Sequence, residues 1–205
     1  VVKVGTNLLT SSTESLDSNA IRRLVGQIIA LRETDVEVVL VTSGAVTAGR
    51  QVLGGQGRQL PRRGVASRQV LASFGQIPLM REYVKHFQEV DVIAAQALVS
   101  RGDLESDHGY LNARNTLLGL LQAGAVPVVN ENDVVAVEEL EGEVFGDNDR
   151  LSARVADVVD ADALIILSDV DGLYDRDPHQ FRDAVRLTTV NEITPEIRSA
   201  AGAAR

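Results

Sequence analysis

Two short runs, VVNEND (residues 128–133) and GDND (residues 146–149), set the carboxylates of Glu131, Asp133, Asp147 and Asp149 among the amides of Asn130, Asn132 and Asn148. The first run follows a strand-like apolar stretch and the second precedes a helix-like one, an arrangement that suits a ligand site. Neither run holds His or Cys. A transition-metal cage or a thiol nucleophile is therefore disfavoured, while hard oxygens and amides suit Mg²⁺ and polar, charged ligands. A solvated turn carrying helix caps would use the same residue types, so the rest of the chain has to decide.

The sequence has 205 residues, enough for a substantial core, and is most simply one domain spanning 1–205. It contains no Cys, which excludes disulfides and permits a reducing compartment. The opening VVKVGT lacks the basic, apolar and small-residue succession of a signal peptide, and no apolar stretch is long enough to span a bilayer. The expectation is a cytoplasmic protein without a membrane partner. A formal charge of -9 argues against nucleic acid, whose phosphates call for clustered Lys and Arg. Lys3 and Lys85 are the only lysines, so a site that needs a compact ammonium has few candidates.

Apolar periodicity supplies the elements that must position these groups. VVKV opens as a buried strand. Ile21, Leu24, Val25, Ile28 and Leu31 then recur at helical spacing behind a cap at Asp17 or Ser18, and VVLV (residues 38–41) is again strand-like. Helical patterns over about 65–87, the strand VIAAQALV (92–99), a helix over about 111–123 and the strand VPVV (126–129) continue the alternation. A helix over about 148–159, the strand ALIIL (163–167) and a last strand LTTV (187–190) complete it. Continuous Val and Ile runs of this kind belong to strands covered on both faces, so the fold class is α/β with a mainly parallel central sheet. Glu141 and Gly142 are expected to turn a small β-ribbon near 135–145. The Gly-, Arg- and Pro-rich loop at 54–64 is expected to be mobile, with solvated charge.

In open parallel sheets ligands bind beyond the carboxyl ends of the strands. The residues there are Gly5, Thr6 and Asn7; Thr42, Ser43, Gly44 and Ala45; Asn130 to Asp133; and Ser168 and Asp169. The Ser43-Gly44-Ala45 turn suits a carboxylate or phosphate at a helix N-terminus, with Ser43 as a plain N-cap being the alternative. No GxxxxGK[ST] or GxGxxG run occurs, and Ser43 lies outside a G-x-S-x-G elbow, which disfavours P-loop, Rossmann and serine-hydrolase chemistry. His86, His108 and His179 fit no triad and are assigned to surface or packing.

VVKVGTNLL, VLVTSGAVTAGR, ASRQVLASFGQ, LNARNT, VPVVNENDVV, FGDNDRLSARVA and LIILSDVDGLYDRDP, taken in order over nearly the whole chain, resemble the amino acid kinase family, and within it the glutamate 5-kinases. The resemblance implies a three-layer αβα sandwich. It also implies transfer of a phosphoryl group from ATP, with Mg²⁺, to the side-chain carboxylate of L-glutamate, the first step toward proline. Other kinases of the superfamily, acting on acetylglutamate, carbamate, aspartate or a nucleotide, and a non-catalytic binding module are the alternatives. By the same likeness, Lys3 contacts the transferring phosphoryl with the Gly5 and Thr6 N–H groups nearby. Ser43, Gly44 and Ala45 then bind the acceptor substrate, and Asp133 and Asn148 complete its pocket. Asp149 either joins Asp133 in receiving the substrate ammonium or helps to organise Lys3 and Mg²⁺, Asp147 orients its neighbours, and Ser168 and Asp169 contact the nucleotide. No side chain is assigned as a direct metal ligand. The likeness further suggests a homo-oligomer, a dimer or tetramer, and feedback by proline through the 54–64 loop and the substrate pocket. The family pattern runs on past AGAAR into a Gly-rich segment with a second phosphate-contacting lysine. Either the 205 residues are a piece of a longer chain or their nucleotide half is incomplete.

Overall fold

Strands β1 (Val2–Val4), β2 (Leu40–Val41), β3 (Ala94–Val99), β4 (Val126–Glu131) and β5 (Ile165–Leu167) hydrogen-bond in parallel, in the order β3-β4-β2-β1-β5. This is the sheet expected from the apolar runs. In the computed structural model the described residues are 1–11, 15–58, 64–135 and 148–201. By packing, the chain divides into two compact units, Val1–Leu167 and Ser168–Arg205.

Alternate residues of the inner strands serve opposite layers. Val2, Val4, Leu40, Val126 and Val128 pack against Ile21 and Ile28 of α2 (Ser18–Arg32) and Leu79 and Phe87 of α4 (Val65–Gln88). Val39, Val41 and Val129 pack the other way, against Leu104 of α5 (Arg101–Glu105), Leu117 of α6 (Asp107–Gln122) and Val155 and Val158 of α7 (Asn148–Val158). The result is a three-layer αβα sandwich, stabilised mainly by removing both strand faces from water. Register then decides where Lys3 points. It sits in one row with Val41 and Val129, so its side chain leaves the sheet on the α7 face.

Local signals explain most boundaries. Asp17 caps α2, its Oδ1 accepting from the Asn19 and Ala20 N–H groups at 2.9 and 3.1 Å. Helix α5 was not anticipated; it is started by a capping box in which Ser100 and Asp103 satisfy each other's backbone N–H groups. Helix α3 (Ala45–Gly55) lies against α4 with almost no space between backbones. A Cβ on Gly75 would stand 1.7 Å from the Ala45 carbonyl oxygen, and one on Gly49 would stand 1.9 Å from that of Leu71. Glycine is what lets α4 touch the first turn of α3.

The second unit holds a short antiparallel pair, β6 (Leu173–Tyr174) with β7 (Arg186–Leu187), and helix α8 (Pro195–Ala200) capped by Thr194. The expected strand LTTV is thereby corrected. Pairing stops at Leu187, and the β-branched Thr-Thr-Val that prompted the expectation lies beyond the strand. The proposed ribbon near 135–145 falls almost entirely outside the described residues, as do positions 59–63 of the 54–64 loop. His86 is buried beside Ser18, with Nε2 3.0 Å from the hydroxyl, in keeping with a packing role, and His108 and His179 are exposed. No described helix is long and apolar enough to cross a membrane.

Candidate active site

The helix after β2 belongs to one layer and the helix after β4 to the other, so the gap between the carboxyl ends of β2 and β4 is the topological switch point of the sheet. A cavity of about 360 Å³ opens there. Its floor is the first turn of α3. The intrahelical ladder begins with Ala48 N–H donating to the Gly44 carbonyl, so the N–H groups of Ala45, Val46 and Thr47 precede it, and Gly44 to Thr47 all line the cavity. Gly44 holds φ at 105°, a left-handed conformation that turns the chain from β2 into α3 at little steric cost. Gly44, not Ser43, occupies the cap position, and no side chain caps this helix. The plain N-cap alternative for Ser43 is thus set aside, leaving its hydroxyl for other partners.

Asn148, the first residue of α7, ties the switch point together. It is 6% exposed, and its Nδ2 reaches the Thr42 carbonyl, Ser43 Oγ at 3.0 Å and Asn130 Oδ1 at 3.1 Å. Below it, Thr42 Oγ1 lies 2.7 Å from the Tyr83 hydroxyl, whose pKa burial pushes well above the usual phenol range. Beside it, Asp149 in the first turn of α7 forms an ion pair with Lys3. Lys3 is only 8% exposed. A charge so far removed from water persists only with a partner, and a carboxylate at a helix N-terminus also complements the helix dipole.

Across the cavity stand Glu131, the last residue of β4, and Asp133 just past it, with Arg50 of α3 and Arg68 of α4. Burial pushes the Asp133 carboxyl up, and the Arg68 guanidinium and a backbone hydrogen bond pull it partly back. The wall is therefore charged with both signs, which suits a zwitterion better than a simple anion. Gly5 lies close to the Lys3 ammonium: a Cβ there would stand 3.7 Å from Nζ.

The structure thus brings together Ser43, Gly44, Ala45, Asp133, Asn148 and Thr6 on one cavity and Lys3 with Asp149 at the neighbouring strand end. Asp147 lies outside the described residues. Ser168 and Asp169 belong to the second unit, where the Ser168 hydroxyl donates to Asp169 Oδ1 at 3.1 Å. Arg50 and Arg68 were not singled out from sequence, whereas Glu131 stood within the VVNEND run. The signal of the two arginines was present, since each lies within the first two turns of a helix that follows a glycine, on the side facing the strand ends.

The amino acid kinase family model matches residues 1–204. The chain belongs to that family. Among curated members it is similar to the glutamate 5-kinase of Dehalococcoides mccartyi (strain ATCC BAA-2266 / KCTC 15142 / 195), at 46% identity over 98% of this chain and 53% of that protein. It is likewise similar to the glutamate 5-kinase of Moorella thermoacetica, at 47% identity over 100% of this chain and 52% of that protein. The chain therefore spans about half the length of the curated relatives it matches. Among solved structures, an isopentenyl phosphate kinase in its substrate complex superposes with a TM-score of 0.61 at 21% identity, covering 91% of this chain and 77% of that one. The aspartate kinase from Synechocystis gives 0.57 at 20% identity, over 90% of this chain and 30% of that one. These two likenesses speak to the fold alone. The switch-point cavity is lined by Thr6, the turn after β2, α3, α4, the end of β4 and α7, all within the first unit.

Proposed function

We propose that this chain carries the acceptor half of a glutamate 5-kinase, phosphorylating the side-chain carboxylate of L-glutamate at the expense of ATP. One observation carries the reading. A cavity of mixed charge, floored by a helix N-terminus, lies beside the buried Lys3, which pairs with a partly exposed Asp149 next to Asn148. Glutamate brings one ammonium and two carboxylates. Asp133 and the acceptor atoms around it suit the ammonium, and the N–H groups of Ala45 to Thr47 with Arg50 and Arg68 suit the α-carboxylate. The side-chain carboxylate then extends toward Lys3.

That carboxylate, with a reference pKa of about 4.3, is ionised at neutral pH and needs no general base. One of its oxygens attacks the γ-phosphorus, the bond from that phosphorus to the β,γ-bridging oxygen breaks, and ADP leaves with the electron pair. The difficulty is bringing one anion to another, so the protein contributes alignment and positive charge at the equatorial oxygens. Lys3 is the ammonium for that task. Asp149 orients it and lowers the cost of keeping it charged before the nucleotide arrives. Among the described residues no group of acidic or imidazole side chains converges to hold a metal ion. Mg²⁺ bound with the nucleotide would supply further positive charge at the phosphates, and Asp149 beside Lys3 is the carboxylate that would help to organise it.

Proline retains an ammonium and an α-carboxylate but lacks the side-chain acid, so it fits the same wall as a competing ligand. A panel of acceptors tests the function in the full-length protein: L-glutamate, N-acetylglutamate, aspartate and carbamate, read by ADP release and by a hydroxamate trap for acyl phosphate. Glutamate-dependent ADP with trapped hydroxamate is expected. Turnover with a different acceptor and none with glutamate would overturn the assignment.

A further inference from the structure

A chain of three side-chain amides runs from helix α4 to the mouth of α7. Asn130, 2% exposed at the end of β4, donates from Nδ2 to Gln76 Oε1 at 2.8 Å and accepts at Oδ1 from Asn148 Nδ2 at 3.1 Å. An amide has a donor end and an acceptor end of nearly equal shape, so the direction of such a chain is set by whatever anchors it. Here the anchor is the Thr42 carbonyl, which can only accept. It turns the nitrogen of Asn148 inward. Asn148 then requires the oxygen of Asn130, Asn130 presents its nitrogen to Gln76, and Gln76 has to answer with an oxygen.

We propose that Gln76 is a positioning residue whose side-chain oxygen locks this relay in the one polarity that turns Asn148 Oδ1, an acceptor, toward the ammonium of an amino-acid substrate. The inference rests on the reading of the cavity as an amino-acid acceptor site and names the group that selects for an amine there. An amide carries two N–H bonds, and those of Asn148 already face the Thr42 carbonyl, Ser43 Oγ and Asn130 Oδ1. Its Oδ1 has no hydrogen-bond partner among the described residues, and Asn148 lines the cavity together with Asp133. A carbonyl oxygen beside a carboxylate attracts an ammonium and repels a second carboxylate.

Gln76 itself is informative in what it leaves unmet. Its Nε2 is buried without a hydrogen-bond partner. An unsatisfied buried donor is unfavourable, so the contribution of this side chain to the site comes through its oxygen. Its backbone is fixed as well, because the adjacent Gly75 brings α4 into direct contact with the Ala45 carbonyl.

The test uses the full-length protein with Gln76→Met, which keeps length but removes the acceptor, and Gln76→Glu, which keeps an oxygen toward Asn130. Gln76→Met is expected to raise KM for L-glutamate about tenfold, the worth of one charged hydrogen bond. KM for ATP should stay within about twofold, and so should KM for glutarate, which has both carboxylates but no ammonium. Gln76→Glu should recover most of the loss. An unchanged KM for glutamate, an equal rise for glutarate, or no recovery with Glu would overturn the relay. If the parent enzyme releases no ADP with glutamate, the kinase reading fails on its own. The relay is then judged by the side-chain amide NMR signals of Asn130. Their solvent exchange should be slow in the parent and faster in Gln76→Met, and equal exchange in both would overturn it.

Discussion

Lys3 and Ile166 face each other across one rung of the sheet, on adjacent strands. Lys3, a charged residue on the inner strand β1, is 8% exposed; Ile166, an apolar residue on the edge strand β5, is 46% exposed. Ordinary partition would have placed them the other way round. The inversion teaches that the inner strands carry the polar machinery because helices clamp them from both layers, whereas among the described residues β5 is left open to solvent. Burial here is a tool for holding charge still. The same contrast separates the amide relay at β2 and β4 from the exposed Leu98 on the other edge strand, β3.

The comparison can be broken most decisively at Lys3. Lys3→Ala should leave the helical circular-dichroism spectrum unchanged and lower kcat by at least ~10²-fold, as expected for losing one preorganised donor. A near-normal rate would remove the inner ammonium from the chemistry. Next in size is Gly75→Ala, which drives a methyl group into the Ala45 backbone. It should cost about 3 kcal/mol or more, read from chemical denaturation, because neither helix can yield without moving the floor of the cavity. An unchanged midpoint would mean that the close contact of α3 and α4 is not needed.

Asp133 sharpens the contrast through pH. Burial raises its folded pKa above the ordinary carboxylate value. The folded state therefore holds its proton longer than the unfolded chain, and stability falls as pH rises from the ordinary value through the raised one, then levels off. Asp133→Asn removes that penalty. Its thermal midpoint should match the parent near pH 3 and exceed it at pH 7, while KM for glutamate rises about tenfold. A midpoint difference that does not grow with pH would contradict a desolvated carboxylate at this position. The smallest effect belongs to the edge: Ile166→Ser should change stability by no more than about 0.5 kcal/mol. A large loss on denaturation would show that β5 is covered after all, and the contrast with Lys3 would collapse.

Much of this arrangement was legible in the residues. The Val and Ile runs announced a parallel sheet covered on both sides, and the polar residues just past each run marked the end at which ligands would gather. Asp17 and the spacing behind it located α2 almost to the residue. What the sequence could not disclose is which face of the sheet each helix covers, a long-range property that puts the switch point between β2 and β4. Gln76 and Tyr83 were hidden for a related reason. They lie within the helical pattern of α4, and their polar atoms gain meaning only when Asn130 and Thr42 arrive from distant strands. Helix α5 is a different kind of omission, because Ser100 and Asp103 stand at capping-box spacing and were readable. LTTV erred in the other direction: β-branched side chains favour a strand, but a strand also needs a neighbour to pair with.

The hydrogen bond between Tyr83 and Thr42 has a practical sequel. The sequence contains no Trp and three Tyr, and Tyr83 alone among them is buried, directly beneath the Asn148 junction. Its ultraviolet emission, superposed on that of Tyr110 and Tyr174, is expected to change when an added amino acid fills the site, with no label attached.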